Sequence, residues 1–196
     1  MQRIDALRAI TAVTTVEDLF VTSIGATLDD MWNLRHGDNV FFTTVLGSVS
    51  STALGLALAL PHRRVIAIES DGSVLMNTGA MCTLGAERPG NLTVTVMDNG
   101  IYENIGGHPT HTARATDLAA MARGAGCADA VAVTETGEFT QQFARMLTDG
   151  SFGYLVARIA PGVHPWPADQ KKWSDGVEDK YRFLRYVERL EGVRIH

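Results

Sequence analysis

Between Arg64 and Asn104 two apolar, β-branched runs each break off into a polar turn. The first reads Arg-Val-Ile-Ala-Ile-Glu-Ser-Asp-Gly-Ser, and the second ends Thr-Val-Met-Asp-Asn-Gly-Ile-Tyr-Glu-Asn. Runs of this kind, too short for helices and flanked by glycine, read as strands buried on both faces. If they are neighbours in a parallel sheet, both turns emerge at its carboxyl edge, where open α/β sheets bind ligands. One turn holds Asp71, Gly72 and Ser73, and the other holds Asp98, Asn99 and Gly100. A carboxylate, an amide oxygen and a glycine-opened helix start converging there suit a hard divalent cation and a phosphorylated ligand.

The rest of the chain extends this alternation. Helical spacing covers 3–14, with Ile4, Leu7, Ile10 and Val13 on one face. A buried strand over 19–24 ends at Gly25, a short helix follows over 27–34, and a strand over 40–43 leads to a small-residue helix over 47–60 that Pro61 stops. The strand over 65–68, a helix over 73–87 and the strand over 92–97 come next. A long glycine-bearing loop spans 99–115, and a helix starts at Thr116-Asp117. A strand over 128–133, a helix over 136–147, a strand over 154–159 and a final helix over 181–190 complete the pattern. The expectation is a single α/β domain over 1–196, with one doubly wound, mainly parallel sheet and helices on both faces. Residues 160–196, with Pro161, Pro165 and Pro167, form a C-terminal packing arm and helix.

Composition narrows the function classes. Of 196 residues, 45% are apolar and 20% charged, as in an ordinary globular protein. A net charge of −5 argues against broad nucleic-acid binding. Leu54–Leu60, the longest apolar stretch, is far too short for a membrane span, and no signal peptide is read, so the cytoplasm is the expected location. Cys82 and Cys127 lack metal-ligand spacing and read as buried thiols. Neither a Gly-x-Gly-x-x-Gly nor a Gly-x₄-Gly-Lys-Ser/Thr motif occurs, which disfavours a dinucleotide or nucleoside triphosphate binder.

Ser70-Asp71-Gly72-Ser73 followed by Asn99 resembles the signature of the thiamine diphosphate enzymes, which is Gly-Asp-Gly-Ser, a spacer of similar length and a closing Asn. Ser70 stands where the family has glycine. Leu46-Gly47-Ser48-Val49 resembles the family's Gly-Ser-apolar turn, and Gly106-Gly107-His108-Pro109-Thr110 resembles the Gly-Gly-Gln-Pro-Thr loop of sulfopyruvate and phosphonopyruvate decarboxylases. Arg3-Ile4-Asp5-Ala6-Leu7-Arg8 and Lys180-Tyr181-Arg182-Phe183 are also similar to that family, so the likeness covers nearly the whole chain. It corresponds to the diphosphate-binding (PP) half, which in sulfopyruvate decarboxylase is a separate beta subunit.

The resemblance implies thiamine diphosphate and Mg²⁺ as cofactors. Asp71, Asn99 and the Ile101 carbonyl would be metal ligands, while Gly72, Ser73 and Tyr102 would lie against the cofactor. The Gly47 carbonyl would hold the aminopyrimidine, with Ser48 beside it and Val49 as the apolar wedge under the bent cofactor. It further implies decarboxylation of a 2-oxo acid to CO₂ and an aldehyde. The glutamate that activates the cofactor belongs to a pyrimidine-binding domain, for which this chain has no room. A partner subunit, in at least a dimer of heterodimers, is therefore implied; a non-catalytic cofactor-binding or scaffolding subunit is the other reading. Two readings also stand for His108 and His111: proton donors or substrate contacts, for which imidazole is suited, and solvated loop residues.

Two departures bear on the substrate. Where the family carries a Ser-Lys/Arg-Glu-Leu pattern, this chain has Thr27-Leu28-Asp29-Asp30, with an acid in place of the base, and His108 replaces the loop glutamine. Both speak against a sulfonate or phosphonate substrate. Asp29 and Asp30 read alternatively as solvated acids in a first helical turn, where the dipole favours them.

Overall fold

The computed structural model describes every residue except His36, Ser174 and His196. Six parallel strands form one sheet in the order β2-β1-β3-β4-β8-β7. They are β1 (Leu19–Thr22), β2 (Val40–Phe42), β3 (Val65–Ser70), β4 (Leu92–Asp98), β7 (Val131–Val133) and β8 (Gly153–Arg158). A two-stranded antiparallel hairpin, β5 (Ile101–Tyr102) with β6 (His108–Pro109), stands apart. Strands β3 and β4 pair in register from Val65 opposite Leu92 to Ser70 opposite Met97, so the two polar turns leave the sheet side by side.

Side chains alternate between two cores, one on each face. Val65, Ala67, Leu92, Val94 and Val96 face α3 (Val49–Ala59), α5 (Gly79–Glu87), α6 (Leu118–Gly124) and α8 (Gly176–Glu191). Phe20, Ile66, Ile68 and Leu155 face α1 (Arg3–Val13), α2 (Ala26–Leu34) and α7 (Thr136–Thr148). Double-sided burial is why these strands are almost wholly apolar. From β1 the chain runs to β2 on one side, then crosses to β3 on the other. The order therefore reverses between β1 and β3, which opens a crevice at their carboxyl ends.

The doubly wound expectation holds, with corrections at several element ends. The helix expected over 73–87 is two, α4 (Asp71–Met76) and α5, because the chain leaves helical geometry at Asn77. Helix α4 begins two residues earlier than expected, capped by the Ser70 hydroxyl, which accepts from Ser73 N–H. Helix α3 begins at Val49 rather than Gly47, whose φ is +81°. The loop after Asn99 is organised by the β5–β6 hairpin. The last helix starts five residues early, at Gly176, where the Asp175 carboxylate caps Val177 and Glu178 N–H. Cys127 is buried as expected, but Cys82 is exposed. No helix among the described residues is long and apolar enough to cross a membrane.

Candidate functional site

The crevice at the switch point holds a cavity of about 140 Å³. Four corners line it: Gly25, Ala26 and Thr27 after β1; Leu46 after β2; Ser70, Gly72 and Ser73 after β3; Asn99, Ile101 and Tyr102 after β4. Arg3 and Glu103 close one side. The two turns that are remote in the sequence thus meet at one cavity.

Asp71 is 1% exposed and sits in the first turn of α4 rather than on an open loop. Its Oδ2 accepts from Thr110 Oγ1 at 2.6 Å and lies 3.1 Å from Thr112 Oγ1. Its Oδ1 is buried with no hydrogen-bond partner. Burial pushes the carboxyl above the usual aspartate range; the Thr110 hydroxyl opposes this, and the neighbouring Asp98 adds to it. Asp98 is itself paired with Arg158 at 2.6 Å. A buried acceptor without a donor is costly, and a cation relieves that cost. The Asn99 side-chain oxygen accepts from Ile101 N–H at 3.1 Å, which folds 99–101 into a tight turn around Gly100. A carboxylate, an amide oxygen and a backbone carbonyl are the oxygen donors Mg²⁺ takes together with phosphate oxygens. Among the described residues no cluster of three His, Cys, Asp or Glu competes for a metal. The residues present therefore fit a magnesium–diphosphate group.

Gly72 cannot be replaced without a clash, because a Cβ there would lie 2.5 Å from Tyr102 Cε1. The Tyr102 ring is thereby packed directly onto the helix start, which joins the two corners.

The turn before α3 carries Gly47, Ser48 and Val49. Gly47 N–H donates to Ser73 Oγ at 2.9 Å, and its carbonyl accepts from Asn77 Nδ2 at 2.8 Å, which fixes the turn and leaves the carbonyl a second lone pair. The Ser48 hydroxyl donates to Val45 O at 2.6 Å. Val49 is fully buried in the core against the sheet and lines no part of the cavity. Leu46 lines the cavity instead. With Gly47 outside α3, the helix's first residue, Val49, packs toward the sheet. Behind this turn Glu69, 1% exposed, accepts from both the N–H and the hydroxyl of Ser50 at 3.0 Å, and burial raises its carboxyl above the ordinary range.

His108 and His111 are exposed on and beside the hairpin, and neither lines the cavity. Asp30 is no solvated acid: it is 1% exposed, and its two oxygens accept from Arg3 Nε at 2.8 Å and Trp166 Nε1 at 2.7 Å. Asp29 accepts from Lys172 N–H at 2.9 Å, so the tail is tied down across α2. Residues missed from sequence include Leu46, Ser70, Thr110 and Thr112. Serine three residues before a helical N–H is a capping signal that marks Ser70, and Thr110 closes the Gly-Gly-His-Pro-Thr run. Thr112 carries no local signal.

Residues 25–157 match the family described as thiamine pyrophosphate enzyme, C-terminal TPP binding domain, which is the class this fold and cavity define. Over 193 residues the chain is 30% identical to sulfopyruvate decarboxylase subunit beta of Methanocaldococcus jannaschii, covering 96% of this chain and 98% of that one. It is 35% identical to phosphonopyruvate decarboxylase of Streptomyces viridochromogenes, across 82% of this chain but only 40% of that longer protein. The chain belongs to the thiamine pyrophosphate-dependent decarboxylase family. Among solved structures, benzoylformate decarboxylase from Polynucleobacter necessarius shares the fold with a TM-score of 0.71 and 16% identity, covering 85% of this chain and 34% of that one.

Proposed function

We propose that this chain is the diphosphate- and Mg²⁺-binding subunit of a heteromeric thiamine diphosphate-dependent 2-oxo acid decarboxylase, releasing CO₂ and an aldehyde in the cytoplasm. The observation that carries the reading is the unpartnered, buried Asp71 Oδ1, whose chain neighbours Ser70 and Gly72 line the cavity together with Ser73, Asn99 and Ile101. Asp71, Asn99 Oδ1 and the Ile101 carbonyl would hold Mg²⁺. Gly72, Ser73 and Tyr102 would lie against the diphosphate, and Leu46 would support the cofactor from the β2 side. When bound, thiamine diphosphate supplies the electron sink that accepts the bonding pair as CO₂ departs. The chain's own residues would bind and orient: they would hold the cation and the diphosphate and keep water from the buried acid.

Catalysis needs a second polypeptide, a pyrimidine-binding subunit whose glutamate activates the cofactor, in at least a dimer of heterodimers. Two lengths support this. The chain spans nearly all of a relative named as a subunit, and well under half of a longer protein named phosphonopyruvate decarboxylase. On the substrate side, the family's basic turn is replaced by Asp29 and Asp30, both spent on internal contacts. We therefore favour a 2-oxo acid without a sulfonate or phosphonate. No nucleic acid and no membrane enter the reading.

Calorimetry on the purified chain is the first test. Thiamine diphosphate with MgCl₂ should bind, and NAD or ATP should not. Mixing with the product of the neighbouring gene and measuring CO₂ from a panel of 2-oxo acids is the second. Activity in the mixture and in neither protein alone supports a catalytic subunit; cofactor binding with no CO₂ from any mixture leaves a scaffolding subunit.

A further inference from the structure

We propose that Thr110 is a positioning residue for the cation: its hydroxyl holds Asp71 Oδ2 so that Oδ1 is presented to the metal. This rests on the magnesium–diphosphate reading and assigns a role to the loop that reading leaves unexplained. Thr110 and Thr112 are 3% and 7% exposed, far more buried than the loop around them. Thr110 Oγ1 lies 2.6 Å from Asp71 Oδ2, Thr112 Oγ1 lies 2.6 Å from Asp98 Oδ1, and the two hydroxyls are 2.8 Å apart. Each hydroxyl has one proton to give. Assigned along the two shortest contacts, Thr110 donates to Asp71 and Thr112 donates to Asp98. Both protons are spent on the acids' inner oxygens, and none reaches Asp71 Oδ1, the atom left bare and buried.

The backbone explains how a residue so far along the chain arrives there. Gly106 and Gly107, at φ +97° and +68°, reverse the chain. His108 pairs with Tyr102 and Pro109 with Ile101, and Thr110 N–H donates to Gly100 O at 2.8 Å. The hairpin therefore begins at the turn bearing Asn99 and Ile101 and returns its far end to Asp71. In the Gly-Gly-His-Pro-Thr run the glycines turn, the His-Pro pair zips, and the threonine delivers the hydroxyl. The imidazole of His108 is not needed for this. Partners that fix the orientation of a metal-binding carboxylate are worth 10- to 100-fold in metal affinity.

The test is a calorimetric titration of MgCl₂ into the full chain at fixed thiamine diphosphate, with ligand-free melting recorded beside it. Thr110→Val should weaken Mg²⁺ by about tenfold or more, and Thr110→Ser, which keeps the hydroxyl, should restore most of that affinity. A residue that only supports the fold would shift melting while the folded fraction kept wild-type Mg²⁺ affinity. That result for Thr110→Val overturns the proposal, as does a Thr110→Ser variant as weak as Thr110→Val. Thr110→Ala carries the same comparison if Thr110→Val does not fold. A wild-type chain taking up neither Mg²⁺ nor thiamine diphosphate overturns the underlying reading and this one with it, whereas wild-type binding with an unaffected Thr110→Val overturns this one alone.

Discussion

Asp71 and Asp30 lie at the same edge of the sheet, each 1% exposed, and the chain treats them in opposite ways. Asp30 has both oxygens filled, by Arg3 and by Trp166. Asp71 has one oxygen held by hydroxyls and the other left bare. Asp30 is filled from within the chain, whereas Asp71 keeps one acceptor that a cation can take. The same contrast separates the two sides of the cavity. The side built on β3 and β4 keeps an open acceptor. The side built on α1, α2 and the tail has closed its acids into ion pairs and hydrogen bonds.

The largest expected effect comes from breaking the closed acid. Asp30→Ala leaves Arg3, 5% exposed, with Glu103 and the Gly162 carbonyl but without its most buried partner. Losing one member of such a pair costs about 3–5 kcal/mol. A urea unfolding curve should show this loss, while the protein still folded binds Mg²⁺–thiamine diphosphate as wild type does. Asp71→Ala should do the reverse. Ligand-free stability should hold, since a buried and incompletely paired carboxyl is removed, but Mg²⁺-dependent cofactor uptake should fall at least about 100-fold, more than the loss of a group that only orients a metal ligand. If both variants lose stability and neither loses cofactor, the contrast between the acids is broken.

Leu46 and Val49 sharpen it on a smaller scale. Val49 is fully buried, so Val49→Ala should cost about 2 kcal/mol of stability and little cofactor affinity. Leu46 lines the cavity, so Leu46→Ala should weaken cofactor binding measurably with a smaller change in the urea midpoint. The opposite pattern would return the wedge to Val49.

Why one side of the cavity was legible in the sequence and the other was not follows from what holds each together. Strands β3 and β4 are buried on both faces, which leaves an unbroken β-branched record, and their corners carry Asp-Gly-Ser and Asn-Gly, whose turn chemistry is local. The split between α4 and α5 is not local. It turns on Asn77, whose side chain is spent on the carbonyl of Gly47, a residue that precedes it by two helices and a strand. The burial of Asp30 depends on Arg3 and Trp166, from opposite ends of the chain, so a helical first turn looked like a solvated one. Leu46 and Val49 differ only in the phase of the helix start, which periodicity fixes to within a residue or two. Thr112 reaches Asp98 only because the hairpin folds back, and nothing in its neighbours announces that.

The smallest expected effect concerns the loop histidines. His108 and His111 are exposed, make no contact with the cavity, and sit on a hairpin whose buried contribution is threonine. His108→Ala and His111→Ala should each change stability by no more than about 0.5 kcal/mol, as surface substitutions do, and leave cofactor affinity as it is in the isolated chain. The discriminating measurement is kcat in the assembled enzyme. A partner subunit seated over the cavity mouth would bring substrate within reach of the hairpin, and only there does an imidazole have a proton to deliver. An unchanged kcat assigns this loop wholly to holding the metal's carboxylate. A large fall in kcat, with cofactor binding intact, would mean that the hairpin serves two masters, its threonine the cation and its histidine the substrate.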